Sequence, residues 1–286
     1  QQYKTDDAGE SRELELRVAR LRKGLGAAIG KQRVADTPLN EITRADANAL
    51  RDYLLQRMKP SSVHRYITVV RAAVNYVISE HSLNIPNVFN GLRIKGASAS
   101  VDDRLPMGDQ DLVMARPNFK DDPVAHALFV TLTDTGARLS EITGLEVQDV
   151  DLQERSITIR PNSIRTLKTK GSQRTLPLSQ SALEVLQEHR RGKGDTQPIF
   201  EDYARPRGRD AASAMLMKRL RRSITDKKLT MHSLRHRMKD KLRNTGCPEA
   251  ISMAILGHST NTVAANYGSG YALEVMREAL VKVWEE

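Results

Sequence analysis

The chain has 286 residues, with 45 Lys and Arg against 35 Asp and Glu and a formal net charge of +10. With 39% hydrophobic and 28% charged residues it has a globular rather than a disordered composition, although only 4% is aromatic, and its length fits one large or two modest domains. One cysteine, Cys247, excludes an internal disulfide and suits a reducing compartment, so a cytoplasmic, nucleoid-associated location is expected.

No apolar run approaches a bilayer span; Ala127 to Val130 is interrupted within a few residues, so no membrane partner is expected. The chain opens Gln1-Gln2-Tyr3 without an initiator Met or a signal-peptide pattern, as expected of a fragment whose natural start lies upstream. Before residue 98 there are 16 basic and 10 acidic residues, and 29 and 25 from there on, so the positive excess is denser in the first third. A basic balance on both sides attracts polyanions by counterion release and makes nucleic acid the leading partner; a solvated basic surface is the plainer alternative.

In chain order, Leu14, Val18, Leu21, Leu25 and Ile29 recur at helical spacing, and Thr43 with Asp46 three residues on caps a helix through Leu50 and Leu54. Ser61 or Ser62 is expected to cap a third helix with Val63, Ile67, Val70, Val74 and Val77 on one stripe. About four helices are expected in this part. Lys59, Arg65 and Arg71, at or off that stripe, can meet phosphates, although each alone reads more readily as a solvated residue. Gly96 to Ser100, followed by a segment ending at Pro106, reads as a linker. The expected division is a helical domain over 1–98, a linker over 99–105 and a second domain over 106–286.

Beyond the linker, helical patterns occupy Asp109 to Met114, Asp121 to Leu132 and Leu139 to Leu145. The period then changes: Val150 to Leu152, Ser156 to Arg160, Ile164 to Lys168 and Arg174 to Leu178 are short β-prone segments of a small antiparallel sheet. Helices return from Ser179 and end with one over Ala272 to Trp284. The fold class is therefore mainly α with a small antiparallel β-sheet.

Three separated segments gather polar residues on short elements: Thr135-Gly136-Ala137-Arg138-Leu139-Ser140-Glu141, His232-Ser233-Leu234-Arg235-His236, and Leu256-Gly257-His258 with Tyr267 nine residues beyond. Arg138 follows a glycine and opens a helical stretch, a place suited to holding a phosphate; pairing with Glu141 is its plainer use. His232 and Arg235, three apart on a helix, can converge on one oxyanion. His232 and His236 also have metal-ligand spacing, with Cys247 and His258 imaginable as further zinc ligands. No Cys-x-x-Cys pair or acidic ligand accompanies them, so no metal is expected and His236 is expected to pack or hydrogen-bond locally.

In this order the segments resemble the tyrosine recombinases, the family that includes phage and mobile-element integrases. Its signature is an Arg in a Thr-Gly-x-Arg-x-x-Glu setting, a Lys in a β-hairpin, a His-x-x-Arg helix, a Gly-His and a Tyr about nine residues later. The resemblance covers residues from about 104 to 286, and the first third is similar to the family's helical core-binding domain. It implies a mixed α/β catalytic domain with Arg138, Lys168, His232, Arg235, His258 and Tyr267 as catalytic residues and Glu141 orienting Arg138. In the hairpin, Lys168 is favoured because a Lys-Thr pair precedes the turn, with Lys170 as the alternative, since alternation lets both face one side. Tyr271, four residues beyond Tyr267, could share its face if the segment were helical, but the spacing from His258 favours Tyr267.

What the resemblance implies is a site-specific recombinase that cleaves and rejoins double-stranded DNA through a 3′-phosphotyrosine, for integration or excision of a mobile element or prophage. No cofactor is expected, because the covalent intermediate conserves bond energy. A homo-tetramer on synapsed DNA is expected, docked through the C-terminal stripe of Leu273, Met276, Leu280 and Val283, with fold-back onto the same domain as the alternative. An accessory DNA-bending protein is a further expected partner. The rival readings are a topoisomerase of the same mechanism and a non-catalytic DNA-binding regulator; the latter would need no nucleophile such as Tyr267.

Overall fold

The computed structural model of the chain describes residues 8–30, 37–97, 105–165, 172–258 and 270–285. It divides into two compact units, Gln1–Ser100 and Val101–Glu286. Most of the expected linker, together with Lys168, Lys170 and Tyr267, lies outside the described residues.

In the first unit the described residues form three α-helices rather than four: α1 (Ala8–Ile29), α2 (Arg44–Leu55) and α3 (Pro60–Glu80). Thr43 caps α2 as expected, accepting from the Asp46 amide while the Asp46 carboxylate accepts from the Thr43 amide. The third helix begins earlier than either serine. Lys59 is its flanking residue, with no side-chain cap, and Pro60 occupies the first helical position, where its missing N–H costs nothing. Residues 81–97 run as turns held by side chains. Asn87 donates to Arg71 O at 3.0 Å and accepts from the Phe89 amide at 2.9 Å, and Arg44 grips Val88 O at 2.8 Å. These bonds seat Phe89 and Ile94 in a core with Leu25, Leu50, Leu54, Val63 and Ile67. Val77, expected on the α3 stripe, is exposed.

The second unit has one core, built around α5 (Pro123–Thr135). This helix is apolar on nearly every side, so it is buried on nearly every side, and Phe129 stacks on Phe119 with ring centroids 4.1 Å apart. Before it lies α4 (Asp109–Ala115), and after it a short helix, α6 (Leu139–Thr143). Three strands, β1 (Val150–Asp151), β2 (Ser156–Ile159) and β3 (Arg174–Pro177), pair antiparallel in sequence order with Ile157 opposite both Val150 and Leu176. Of the fourth expected strand, Ile164 and Arg165 are not strand and 166–168 lie outside the described residues. The remaining helices are α7 (Gln180–Arg190), α8 (Gly208–Leu220), α9 (His232–Asn244), α10 (Glu249–Leu256) and α11 (Leu273–Glu285). No described helix is long and apolar enough to cross a membrane.

Within the chain, the apolar stripe of α11, expected to dock on a neighbouring protomer or to fold back, packs against its own unit. Met276 and Leu280 are buried in the core of their own unit, Leu273 and Val283 pack against it, and α11 lies on β3, α9 and α10. The stripe is narrow, and one packing surface satisfies it. Trp284 fixes the far end by donating from Nε1 to Asp134 O at 2.9 Å. Trp284→Ala is expected to cost roughly 2–3 kcal/mol through lost packing and that hydrogen bond. A calorimetric melt of the chain checks this; an unchanged Tm would show that α11 does not stabilise its own unit.

Candidate functional site: an arginine cluster on the end of a helix

The site is organised by the C-terminal end of α10. A helix leaves its last carbonyls without partners, and its dipole concentrates negative partial charge there. Here Gly257 ends the helix in the left-handed conformation, φ 61°, and the His258 amide returns to Met253 O at 2.9 Å. Three successive carbonyls are then capped by three arginines from three other elements. Ile255 O accepts from Arg174 Nε at 2.8 Å, Leu256 O from Arg235 Nη2, and Gly257 O from Arg138 Nη2 at 3.2 Å.

Each arginine arrives by a local rule. Arg138 follows the stop of α5 at Gly136, whose φ of 61° turns the chain, and stands immediately before α6. Arg235 lies one turn into α9 beside Leu234 and Met238 on the buried face, and reaches across to donate to Gly136 O at 2.9 Å as well. It therefore ties the α5–α6 turn to the end of α10. Arg174 opens β3, and two-residue periodicity puts it on the same side of the strand as the buried Leu176.

Glu141 balances the cluster from within. It is 3% exposed, and its carboxylate accepts from the Arg138 amide at 2.8 Å and from Arg138 Nη1 at 2.6 Å. Arg174 engages both its oxygens, at 2.9 and 3.2 Å. Burial alone would push this carboxyl up; the hydrogen bonds and charge of Arg174, followed by the Arg138 contacts, outweigh it and hold the pKa at about 2. Glu141 is thus ionised at neutral pH. Three guanidiniums facing one carboxylate leave a cationic excess in a water-poor setting, which suits a phosphate.

Burial and the neighbouring Arg138 charge lower the pKa of Arg235 to about 9, so it stays protonated at neutral pH. The same causes act on His258: burial first, then the charges of Arg235 and Arg138, hold its imidazole down at about 4. It is neutral near pH 7 and offers one N–H. An unfolded histidine protonates near 6.5, so folding excludes a proton between these values. The stability linked to His258 is complete above about pH 6.5 and falls as the pH drops toward 4. NMR titration of the free protein is expected to give a His258 midpoint near pH 4; a midpoint near 6.5 would contradict the placement beside the arginines.

Of the expected site residues, the structure brings together Arg138, Glu141, Arg235 and the Gly257-His258 turn. His232 is exposed at the first position of α9, its ring edge-on to His236 with centroids 4.8 Å apart. Among the described residues no group of three or more His, Cys, Asp or Glu assembles as a cation site, so His232, His236, Cys247 and His258 do not form the zinc cluster their spacing allowed. Lys59, Arg65 and Arg71 are not brought together either: six-residue steps place them on different sides of α3.

Two residues were missed. Arg174 was legible only as a charged residue on an inward-facing strand position. Arg165, 4% exposed, donates from Nε to Arg160 O at 2.8 Å and also bonds Glu141 O at 2.5 Å, linking the start of the β2–β3 connection to α6. An arginine buried mainly by backbone carbonyls, with Asp149 at 3.5 Å as its acidic partner, leaves no pattern in sequence.

The family model described as "Phage integrase family" matches residues 110–272, more than half of the chain. A tyrosine recombinase XerD of Corynebacterium glutamicum is 29% identical over 165 residues, which are 55% of this chain and 50% of that protein. The chain therefore spans about half the length of such curated relatives. Among solved structures, the Tn1549 transposon integrase in complex with a circular intermediate DNA superposes with a TM-score of 0.71 at 17% identity, covering 99% of this chain and 96% of that one. A lambda integrase tetramer bound to a Holliday junction gives 0.68 at 17% identity, covering 92% and 72%. At such identities the likeness is one of fold. The matched segment takes in Arg138, Glu141, Arg174, Arg235 and the Gly257-His258 turn, and the chain belongs to the phage integrase family.

Proposed function

We propose that this protein is a tyrosine recombinase, a DNA strand transferase that cleaves and rejoins duplex DNA at specific sites to integrate or excise a mobile element. The observation that carries this reading is the cationic cluster on the end of α10, whose excess charge faces the Gly257-His258 turn from which the chain runs on to Tyr267. Family membership supports the same reaction class.

In this reading the Tyr267 oxygen attacks the scissile phosphorus, the bond to the 5′ oxygen breaks, and a 3′-phosphotyrosine remains. A phosphodiester with one negative charge becomes a phosphorane with two, and catalysis lies in stabilising that gain. Arg138 and Arg235 neutralise the non-bridging oxygens. His258, neutral in the free protein, donates its N–H. A phenol has a pKa near 10 and needs a proton acceptor, the role of His232 at the exposed head of α9. Lys168, or Lys170 in its place, gives a proton to the leaving 5′ oxygen. A 5′-hydroxyl from a partner strand then reverses the step on the exchanged linkage. Two such exchanges require protomers in a homo-tetramer on synapsed DNA.

The test is covalent capture from a random-sequence library of duplexes nicked just beyond each potential cleavage position. The expected result is a denaturant-resistant protein–DNA adduct enriched in one site. Tight DNA binding with no adduct would replace the reading with a regulator, and resealing without partner exchange would replace it with a topoisomerase.

A further inference from the structure

Arg174 belongs to none of the motif segments, yet it holds more of the cluster together than any other side chain. Its side chain is 6% exposed. Nε donates to Ile255 O at 2.8 Å, Nη1 to Ser172 O at 2.8 Å and to Glu141 Oε1 at 3.2 Å, and Nη2 to Glu141 Oε2 at 2.9 Å. Four hydrogen bonds occupy a group with five N–H donors, so little remains for a substrate. Arg138 differs: its side chain is 28% exposed, and it shares the same carboxylate.

We propose that Arg174 is a positioning residue for strand transfer, which satisfies Glu141 and locks the end of α10 so that Arg138 remains available to the phosphate. This rests on the strand-transferase reading. A buried carboxylate must be compensated, and an arginine is suited to a two-point fork with it. With Arg174 in place, Glu141 takes one guanidinium nitrogen and the backbone amide of Arg138, and Arg138 keeps its other arm on Gly257 O. Without Arg174, Glu141 would draw Arg138 into a full fork and turn it from the phosphate.

Two further observations point the same way. Arg174 joins the strand that follows the lysine-bearing connection to the turn that carries His258, so one side chain registers three segments of the site. A Cβ on Gly257 would stand 2.5 Å from Arg174 Nη1, so the guanidinium lies directly against the Gly257-His258 turn. A lysine cannot replace it, because one ammonium on a flexible stem does not span the carboxylate and both carbonyls in fixed geometry.

The test uses the full chain and a captured duplex, with DNA affinity, thermal melting and single-turnover adduct formation measured at a temperature where every variant is folded. Arg174→Gln is expected to slow adduct formation by about a hundredfold, as misplacement of a reacting group does, with duplex affinity unchanged. Adding Glu141→Gln is expected to recover about tenfold of that loss, because the carboxylate that captures Arg138 is gone. A double variant as slow as Arg174→Gln or slower would overturn the proposal. Arg174→Lys is expected to fold and to lose about tenfold; a wild-type rate there overturns the proposal even where Arg174→Gln does not fold. Absence of an adduct from the unaltered chain overturns the strand-transferase reading and this role with it, whereas a normal wild-type adduct with equally fast Arg174 variants overturns this role alone.

Discussion

Arg235→Ala is expected to reduce single-turnover cleavage by about a thousandfold or more while leaving duplex affinity within a fewfold of wild type. Removing one preorganised donor from a site that stabilises developing charge costs about a hundred- to a thousandfold. Arg235 does more than donate. It bridges Gly136 O and Leu256 O, so its loss leaves two buried carbonyls without that partner and unties the turn carrying Arg138 from the turn carrying His258. Binding should change little, because one phosphate among many carries only a small share of the electrostatic affinity. Arg235→Lys is expected to recover little, since an ammonium cannot hold both carbonyls and a phosphate. The check is adduct formation at saturating protein beside a gel-shift titration, and a rate within tenfold of wild type would show that Arg235 does not face the reacting phosphate.

Gly136→Ala is expected to lower stability by roughly 2–5 kcal/mol, a large share of the total for a unit of this size. Two costs add. Gly136 has φ 61°, where a Cβ costs about 1–2 kcal/mol. That Cβ would also stand 2.6 Å from Met238 Cγ, 2.7 Å from Met238 Cβ and 3.1 Å from Leu256 Cδ2, an overpacking worth about 1–3 kcal/mol. Met238 cannot easily withdraw, since its own Cβ is part of the clash and α9 would have to move with it. Because Gly136 O is also an anchor of Arg235, the variant should lose cleavage even at temperatures where it is folded. Calorimetric melting measures the first effect; a shift in Tm below about 1 °C would show that the α5–α6 turn is not packed on α9 as described.

Much of the fold follows from local rules that act within a few residues. The Thr43–Asp46 cap fixes the start of α2, the apolar stretch of α5 dictates its burial, and the switch to two-residue periodicity marks the sheet. Pro60 starts the third helix ahead of the serines expected to cap it, and Asn87 and Arg44 hold residues 81–97 as turns. The stripe on α11 was read correctly as apolar, but an apolar stripe carries no address, and in the structure its own unit covers it.

The site was legible to the extent that its chemistry is written in motif spacing. Arg138, Glu141 and His258 are placed by turns within their own motifs, Gly136 before Arg138 and Gly257 before His258, and Arg235 meets them from the buried face of α9. What spacing did not disclose is the platform itself. Three carbonyls at the end of α10 exist in every such helix, and only the fold decides that Arg138, Arg174 and Arg235 arrive there together. Arg165 was invisible for the same reason, since its partners are mainly backbone oxygens.

The central claim, that this arginine platform serves a tyrosine nucleophile, is tested most directly by mapping the covalent linkage. The captured adduct is digested with protease and nuclease, and the modified peptide is sequenced by mass spectrometry. The expected product is a nucleotide joined through its 3′ phosphate to the phenolic oxygen of Tyr267, with no adduct from Tyr267→Phe. A linkage to Tyr271, to a residue outside the segment after His258, or through a 5′ phosphate would contradict the claim.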